Sequence, residues 1–590
     1  MQYKNLYDFL LGEEQAFKTA RIEVAGSWRW SFYEHVLKTV LYLNSQFIKG
    51  ADENKPFKNI IRPIINLQNR AEGFDVKDIE LFVNDSEKYY KSFLIRKFHE
   101  KWAREEGMDT FIDAMVESFV AFGGTLVKRT KGGVESVPFQ RIAFCDQTDI
   151  LSGAICEKHY FSPSELLETA SKNGWDADQA QVLAQMWSFE RQENYSDTQT
   201  TTPTPYIEIY EVHGNLPSAW LDNKEPDYDD KEYLPQVHIC GFYKSTQEKD
   251  GSGNPKKNGV TLFSSKESKP RYKFLPRDGG IYGRALGMGG VEELMQAQIW
   301  TNYSMIHKKN LMDSASKTIF QTADGSYHTR NNTSSLPNNA ILVHEAGKPL
   351  TQVNTFPANI QVFDNSVVEW QDLAQRIGAA SDPILGEQPK SGTPFRLQAL
   401  VTQEAHSLHE YRKGKLATFL DEIYKDWVMV DLAKKASDIE FLAELDLDEA
   451  QSIAEALVTF ETNKAIKEKV LNGEVVSPEQ VEAFKFLVRE NFKKTGNKKF
   501  IKILKDEFKD APIDIKVNIA GKQKYSAQHV EKLNNVFASL GNPQVLQLLQ
   551  TPQGAKIFNS ILENSNLPTI DFSDFTAPLP PVEQPIATQT

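Results

Sequence analysis

A chain of 590 residues exceeds what one hydrophobic core ordinarily organises, so roughly two to four packed units are expected. Hydrophobic residues at 40% and charged residues at 25% are ordinary for folded proteins and exclude global disorder. The formal net charge of -13 argues against a protein that grips nucleic acid through many Lys and Arg contacts, but it suits one past which a polyanion slides.

Cys145, Cys156 and Cys240 are odd in number and lack CxxC spacing, which speaks against a disulfide framework or a zinc cage. The start, MQYKNLYDFLLGEEQ, has early acidic residues and no basic region before an apolar stretch, and no long uncharged apolar run follows anywhere. The expectation is a soluble, unexported protein with no membrane partner.

The first third reads mainly as helix. Ser31 and Glu34 have the spacing of a capping box before Val36 to Leu43, and Ser86 to Glu106 is a charged amphipathic stretch. Thr125 to Arg129 and Val134 to Phe139 flank the turn signal Lys131-Gly132-Gly133, and Ile142 to Cys145 adds a further strand. Ser162-Pro163-Ser164-Glu165 then supplies an N-cap, a proline at the first helical position and a glutamate at the third. Glu193 to Pro205 reads as an exposed loop, Ile207 to Val212 and Val237 to Tyr243 as strands, and Thr246 to Arg271 as a long mobile excursion.

After Gly290 a long run lacks Pro and Gly, with Val291, Leu294, Met295, Ile299, Ile306 and Met312 marking an apolar side of a long helix. Lys317 to Thr355 switches to short strands, KTIFQT and AILVHE, with turn signals at Asp324-Gly325 and Ala346-Gly347-Lys348-Pro349. A second long helix starts near Pro357, where Ile360, Phe363, Val367, Trp370, Ala374 and Ile377 form a packing seam that stops at Gly378. Asp382 to Gly392 must be a loop. Thr393 and Pro394 launch a third helix running to about Lys435, roughly 60 Å long at ~1.5 Å per residue, with Gly414 as the expected kink. Leu445 to Leu540 is mostly charged helix interrupted by the alternating strand Ile513 to Ile519, and Asp571 to Thr590 reads as a disordered tail.

This order of elements resembles the portal, or head-tail connector, family of tailed double-stranded DNA bacteriophages. The local wording is also similar: IIRPIINLQNR (Ile60 to Arg70) to the early wing, YGRALGMGGVEELMQAQIWTN (Tyr282 to Asn302) to the approach to the stem, and SGTPFRLQALVTQEA (Ser391 to Ala405) to the exit from the tunnel loop. The resemblance implies an α+β, mainly helical, ring-forming portal fold. Its parts would be a mixed α/β wing (1–280), a first stem helix (281–316), an α/β clip (317–356) and a second stem helix (357–381). A tunnel loop (382–393), a long wing helix (394–437), a helical crown (438–570) and the tail (571–590) would complete it.

By the same resemblance the function is structural rather than enzymatic: a ring, commonly of twelve subunits, at one capsid vertex of the virion, assembled in the host cytoplasm. Double-stranded DNA would pass through non-specifically during packaging and ejection. The partners implied are the large terminase motor, the major capsid protein and the head-tail adaptor or neck proteins. Gln388, Lys390, Ser391, Gly392 and Thr393 would form the loop brushing DNA phosphates. Glu292, Glu293, Lys308, Lys309, Asp364, Glu369 and Asp372 are the channel-lining candidates on the stem helices, the acidic ones making the lumen repel phosphate.

Motifs for other chemistry do not assemble. No window reads GxxxxGK[ST], so the motor's energy must come from another protein, and there is no GxSxG. His406, His409 and Glu410 have neither HExxH nor HxxEH spacing, Asp446 and Asp448 fit a helix cap, and His238 and Cys240 alternate on a strand without further ligands. No metal, catalytic residue or cofactor is expected. The competing readings are another virion ring component, such as a neck or baseplate protein, and a nucleotide- or glycan-processing enzyme using the acidic clusters near Asp446 or Asp229.

Overall fold

The computed structural model describes residues 3–48, 55–76, 79–83, 99, 102–130, 133–196, 206–222, 224, 233–249, 255–267, 271–316, 319–331, 341–353, 360–380, 395–429, 458, 462–463, 465–467, 469, 477–490 and 513–517. Two compact units divide the chain, Met1–Val517 and Asn518–Thr590, and every described residue belongs to the first. The expected tail, the end of the crown and most of the Ser86 to Glu106 stretch lie outside the described residues. The fold is α+β. Among the described residues no helix is long and apolar enough to cross a membrane.

α1 (Leu6–Thr19) starts where the Asn5 side chain accepts from the Asp8 amide, and it buries Leu6, Leu10 and Phe17. A hairpin of β1 (Ile22–Ala25) and β2 (Trp28–Trp30) leads to α2 (Phe32–Leu43). Ser31 caps α2 as expected, accepting from the Glu34 amide at 3.4 Å. The Glu34 carboxylate turns to Arg21 and Lys38, so only that half of the capping box forms. α3 (Ile61–Glu72), β3 (Ile79–Val83) and α4 (Met108–Phe122) follow. Met108, Ile112, Met115 and Phe119 recur at three- and four-residue steps along α4 and are buried, which places this helix in the centre of the main core.

β4 (Gly124–Arg129) leaves α4 at once and pairs with β5 (Val134–Ser136) around the turn that Thr130 and Gly133 close. The second strand is shorter than expected, because Phe139–Arg141 makes a 3₁₀ turn before β6 (Ile142–Phe144). β6, β7 (Ile155–Phe161), β8 (Ile207–Pro217), β9 (Tyr233–Lys249) and β10 (Pro255–Lys266) form a five-stranded antiparallel meander. α5 (Pro163–Asn173), with the full Ser162–Glu165 capping box, and α6 (Ala177–Ser196) cover one face of it, where Leu166, Ala180 and Leu183 meet Ile207, Ile209, Ile239 and Leu262.

Two expectations change in this region. The Glu193 to Pro205 loop begins later, since α6 continues to Ser196. The Thr246 to Arg271 excursion is largely paired strand: β9 extends to Lys249 and β10 returns along it. Glycine there serves packing rather than turning. A Cβ at Gly259 would lie 2.1 Å from Tyr7 Cδ1, and one at Gly241 would lie 2.5 Å from Leu183 Cδ1. β11 (Tyr272–Pro276) then joins β4 and β5 in a separate three-stranded sheet.

α7 (Gly290–Ala315) is the expected long helix, about 39 Å for its 26 residues at ~1.5 Å each. β12 (Ile319–Gln321), the short helix α8 (Tyr327–Arg330) and β13 (Thr351–Val353) separate it from α9 (Ile360–Ile377). β12 pairs with β13, not with the expected AILVHE strand. That segment is tied down differently: the Asn331 side-chain amide donates to Val343 O at 2.7 Å and its oxygen accepts from Val343 N at 2.9 Å, taking the place of a strand neighbour. α10 (Phe395–Ile423) continues helically through Gly414. Its irregularity comes later, in a wide π turn at Tyr424–Val428, rather than as a kink at the glycine. β14 (Ile513–Val517), part of the expected strand, pairs with distant β3.

Candidate functional site

The approach to α7 is set by backbone packing too close for side chains. Gly123, at φ 91°, ends α4, and its carbonyl accepts from Arg277 N and Gly287 N, both at 2.9 Å. A Cβ at Gly287 would lie 2.2 Å from Arg277 O, and one at Gly289 would lie 2.5 Å from Ala121 O. The glycines of YGRALGMGG are therefore demanded by the crossing of two backbone segments. Arg284 locks the same segment: its guanidinium lies 5.4 and 5.2 Å from the Trp28 and Trp30 rings and grips Glu292 at 2.9 and 2.8 Å.

Further along α7, Gln298 accepts from Ile60 N at 2.8 Å and donates to Lys58 O at 2.7 Å, while Asn302 accepts from Lys58 N at 3.1 Å. Two of the quoted segments, 60–70 and 282–302, thus meet in space. The buried side of α7 here is Gln298, Thr301, Asn302 and Ser304. Ile299 and Met312, expected on the apolar side, are exposed, because the buried positions serve backbone groups at 58–60 and Ser366.

α9 runs antiparallel to α7. Trp300 stacks on Trp370 with centroids 6.1 Å apart and planes at 8°, His307 stacks on Phe363 at 6.1 Å and 9°, and Ser304 meets Ser366 at 3.2 Å. Val367 and Ala374 of the expected seam are buried, whereas Ile377 faces outward. The outer side of the pair exposes Trp300 (44%), Tyr303 (52%), Val362 (62%) and Val368 (54%). Such a surface is unusual for two helices facing only water.

The candidate channel residues divide. Glu292 is taken by Arg284 and also faces His35 Nδ1 at 3.8 Å. Glu293 lies 3.5 Å from Arg412; burial raises its carboxyl, against the lowering effect of the Arg277 and Arg412 charges. Both point into the fold, since the first turn of α7 is enclosed by α2, α3 and α4. Lys308 pairs with Asp364 across the two helices, and Lys309 pairs with Asp313 along α7 at 2.9 Å. Glu369 and Asp372 are exposed on α9. Gln388, Lys390, Ser391, Gly392 and Thr393 lie outside the described residues, as do Asp446 and Asp448. His409 is buried and Glu410 exposed, so they do not share a face; the His406 side chain is outside those described. His238 is buried against Gln236 at 2.7 Å, and burial lowers its pKa to about 4. Cys240 sits beside Thr261, and burial raises its thiol to about 12.

One cluster escaped the sequence. Glu157 and Glu211 are register partners on β7 and β8, and the Lys128 ammonium from β4 lies 3.0 Å from each carboxylate. Tyr272, opposite Lys128 on β11, donates to Glu157, and His159 lies 2.8 Å from Glu211. The knot joins the three-stranded sheet to the meander. Among the described residues Glu157, His159 and Glu211 are the one group with metal-ligand geometry, but the ammonium stands between the carboxylates and supplies the positive charge internally. Burial works against this charge, yet the two carboxylates raise the Lys128 pKa.

His213 extends the knot, its Nε2 at 2.7 Å from Glu211 and its Nδ1 at 3.1 Å from Glu267. Burial favours the neutral ring, but the hydrogen bonds to Glu211 and Glu267 outweigh it and raise the pKa. Burial likewise opposes charge on Glu211, yet the bonds from His159 and His213 and the Lys128 charge hold it well below the usual carboxylate range. A raised histidine stabilises fully below its unfolded value and loses that contribution as pH rises through the folded value; a depressed carboxylate loses its contribution as pH falls. The expected result is a stability maximum on the acid side of neutrality whose alkaline limb, measured by thermal unfolding, flattens in His213→Gln. An unchanged alkaline limb would contradict the assignment. Compared with known proteins, the chain matches no family model and no curated protein, so its functional reading rests on its own residues.

Proposed function

We propose that the chain is a portal subunit of a tailed double-stranded DNA phage, a structural protein whose ring at one capsid vertex conducts the genome in and out. The observation that carries this reading is the order of elements: antiparallel α7 and α9 joined through a small β insertion, with long α10 next among the described helices. The exposed aromatic and aliphatic side chains on that helix pair fit a surface covered by neighbouring copies. Glu369 and Asp372 remain to line the lumen, where repeated acidic groups keep DNA from sticking. Glu292 and Glu293 leave that role for an internal one. The terminase motor, major capsid protein and head-tail adaptor or neck proteins are the partners this reading implies, in the virion.

Sedimentation of the purified chain tests it. The wild type is expected as a large closed oligomer. Val368→Glu, an exposed position in the single subunit, leaves its circular dichroism unchanged but buries an unpaired carboxylate at each contact. That costs more than about 2 kcal/mol per interface, raising the concentration needed for assembly at least about thirtyfold. A wild-type monomer at every concentration would overturn the reading, and normal assembly of Val368→Glu would remove this face from the interface.

A further inference from the structure

Both ring nitrogens of buried His409 face acceptors: Nδ1 lies 3.1 Å from Glu72 Oε1, and Nε2 lies 3.3 Å from Ala379 O. A neutral imidazole carries one N–H and one lone pair, so it satisfies one acceptor and sets its lone pair against the other; an imidazolium donates to both. Water offers no relief, since the His409 and Glu72 side chains are 1% and 0% exposed.

The surrounding charges call for the same proton. Glu72 of α3 is approached by Arg277, which follows β11, at 3.4 Å and by Arg412 of α10 at 3.6 Å. Arg412 also holds Asp278 at 3.0 and 2.7 Å and reaches Glu293 of α7 at 3.5 Å. The buried Lys413, one residue further along α10, has its own partner. Three carboxylates against two guanidiniums leave one negative charge in a dry site, and one proton cancels it. That proton sits on His409 or on Glu293, whose buried Oε2 makes no hydrogen bond.

The contact joins three elements. It ties α3 through Glu72, α10 through His409 itself, and the turn after α9 through the Ala379 carbonyl. Ala379 is held at φ 52°, a left-handed conformation that a residue with a Cβ avoids. Gln68 donates to the preceding Gly378 carbonyl at 2.9 Å, so two side-chain donors from opposite sides hold this strained turn. We propose that His409 is a proton-operated clamp: doubly protonated it ties the Gly378–Ala380 turn to α3, and once it loses a proton it keeps Glu72 or Ala379 but not both. The clamp lies within one subunit and does not depend on the portal reading.

Hydrogen exchange read by mass spectrometry on the full chain tests it. The amides of Gly378, Ala379 and Ala380 bond to Ala374, Arg376 and Gln375 carbonyls and report the turn. After correction for intrinsic exchange, wild-type protection there is expected to fall roughly tenfold, the worth of one hydrogen bond, between about pH 5.5 and about pH 8.5. His409→Gln, whose amide has the same donors at every pH, shows no such transition. Glu293→Gln, which removes a charge favouring the imidazolium, moves the transition to lower pH. Protection independent of pH in the wild type, or an equal transition in His409→Gln, overturns the clamp, and an unmoved transition in Glu293→Gln overturns the shared proton. The wild-type and Glu293→Gln measurements decide even if His409→Gln does not fold.

Discussion

Replacing Lys128 with Met is expected to destabilise the protein by about 3–5 kcal/mol, among the largest effects open to a single side chain. The methionine fills the space but leaves Glu157, 2% exposed, facing Glu211 across the β7–β8 register with no ammonium between them. Glu211 keeps His159, His213 and Arg271, so the uncompensated charge is chiefly that of Glu157. Adding Glu157→Gln to the variant therefore recovers roughly half of the loss. Urea unfolding followed by tryptophan fluorescence reads both changes; Lys128→Met within about 1 kcal/mol of wild type would show that the knot does not hold the two sheets together.

Gly287→Ala is expected to cost about 3 kcal/mol or more and to lower soluble yield, although it adds only one methyl group. The new Cβ would meet Arg277 O at 2.2 Å and Arg277 C at 3.0 Å, and backbone cannot rotate away as a side chain tip can. Relief would require moving the segment whose amides bond to Gly123 O, and with it the start of α7. The contrast is Gly414→Ala, where a Cβ meets nothing within 4 Å in the interior of α10. That change should stabilise by about 0.5–1 kcal/mol through the entropy of the unfolded chain. Similar melting temperatures for the two variants would contradict the close-packing account of Gly287.

What the sequence made legible follows from how local each signal is. The Ser162–Glu165 cap, the long α7 and α9 runs and the turn before β5 are specified within a few neighbouring residues, and they stand where expected. The β9–β10 hairpin was hidden because Lys, Asn and Gly look like a loop; its strands depend on Tyr7 and Leu183, which arrive from elsewhere in the chain. The buried ionic knots were invisible for the same reason. Lys128 and Glu211 are 83 residues apart, and Glu72 and His409 are 337 apart. Glu292 and Glu293 looked like a solvated acidic face because the first turn of α7 carries no local mark of burial. Their partners Arg284 and Arg412 lie on other segments.

The most direct test of the portal reading is electron microscopy of the purified, assembled protein at a resolution that places helices. Closed rings are expected, with a central hole wide enough for a DNA duplex, antiparallel α7–α9 pairs around that hole, and Glu369 and Asp372 toward it. Compact single subunits at high concentration, or rings whose α7–α9 pairs lie on the outer rim, would contradict it.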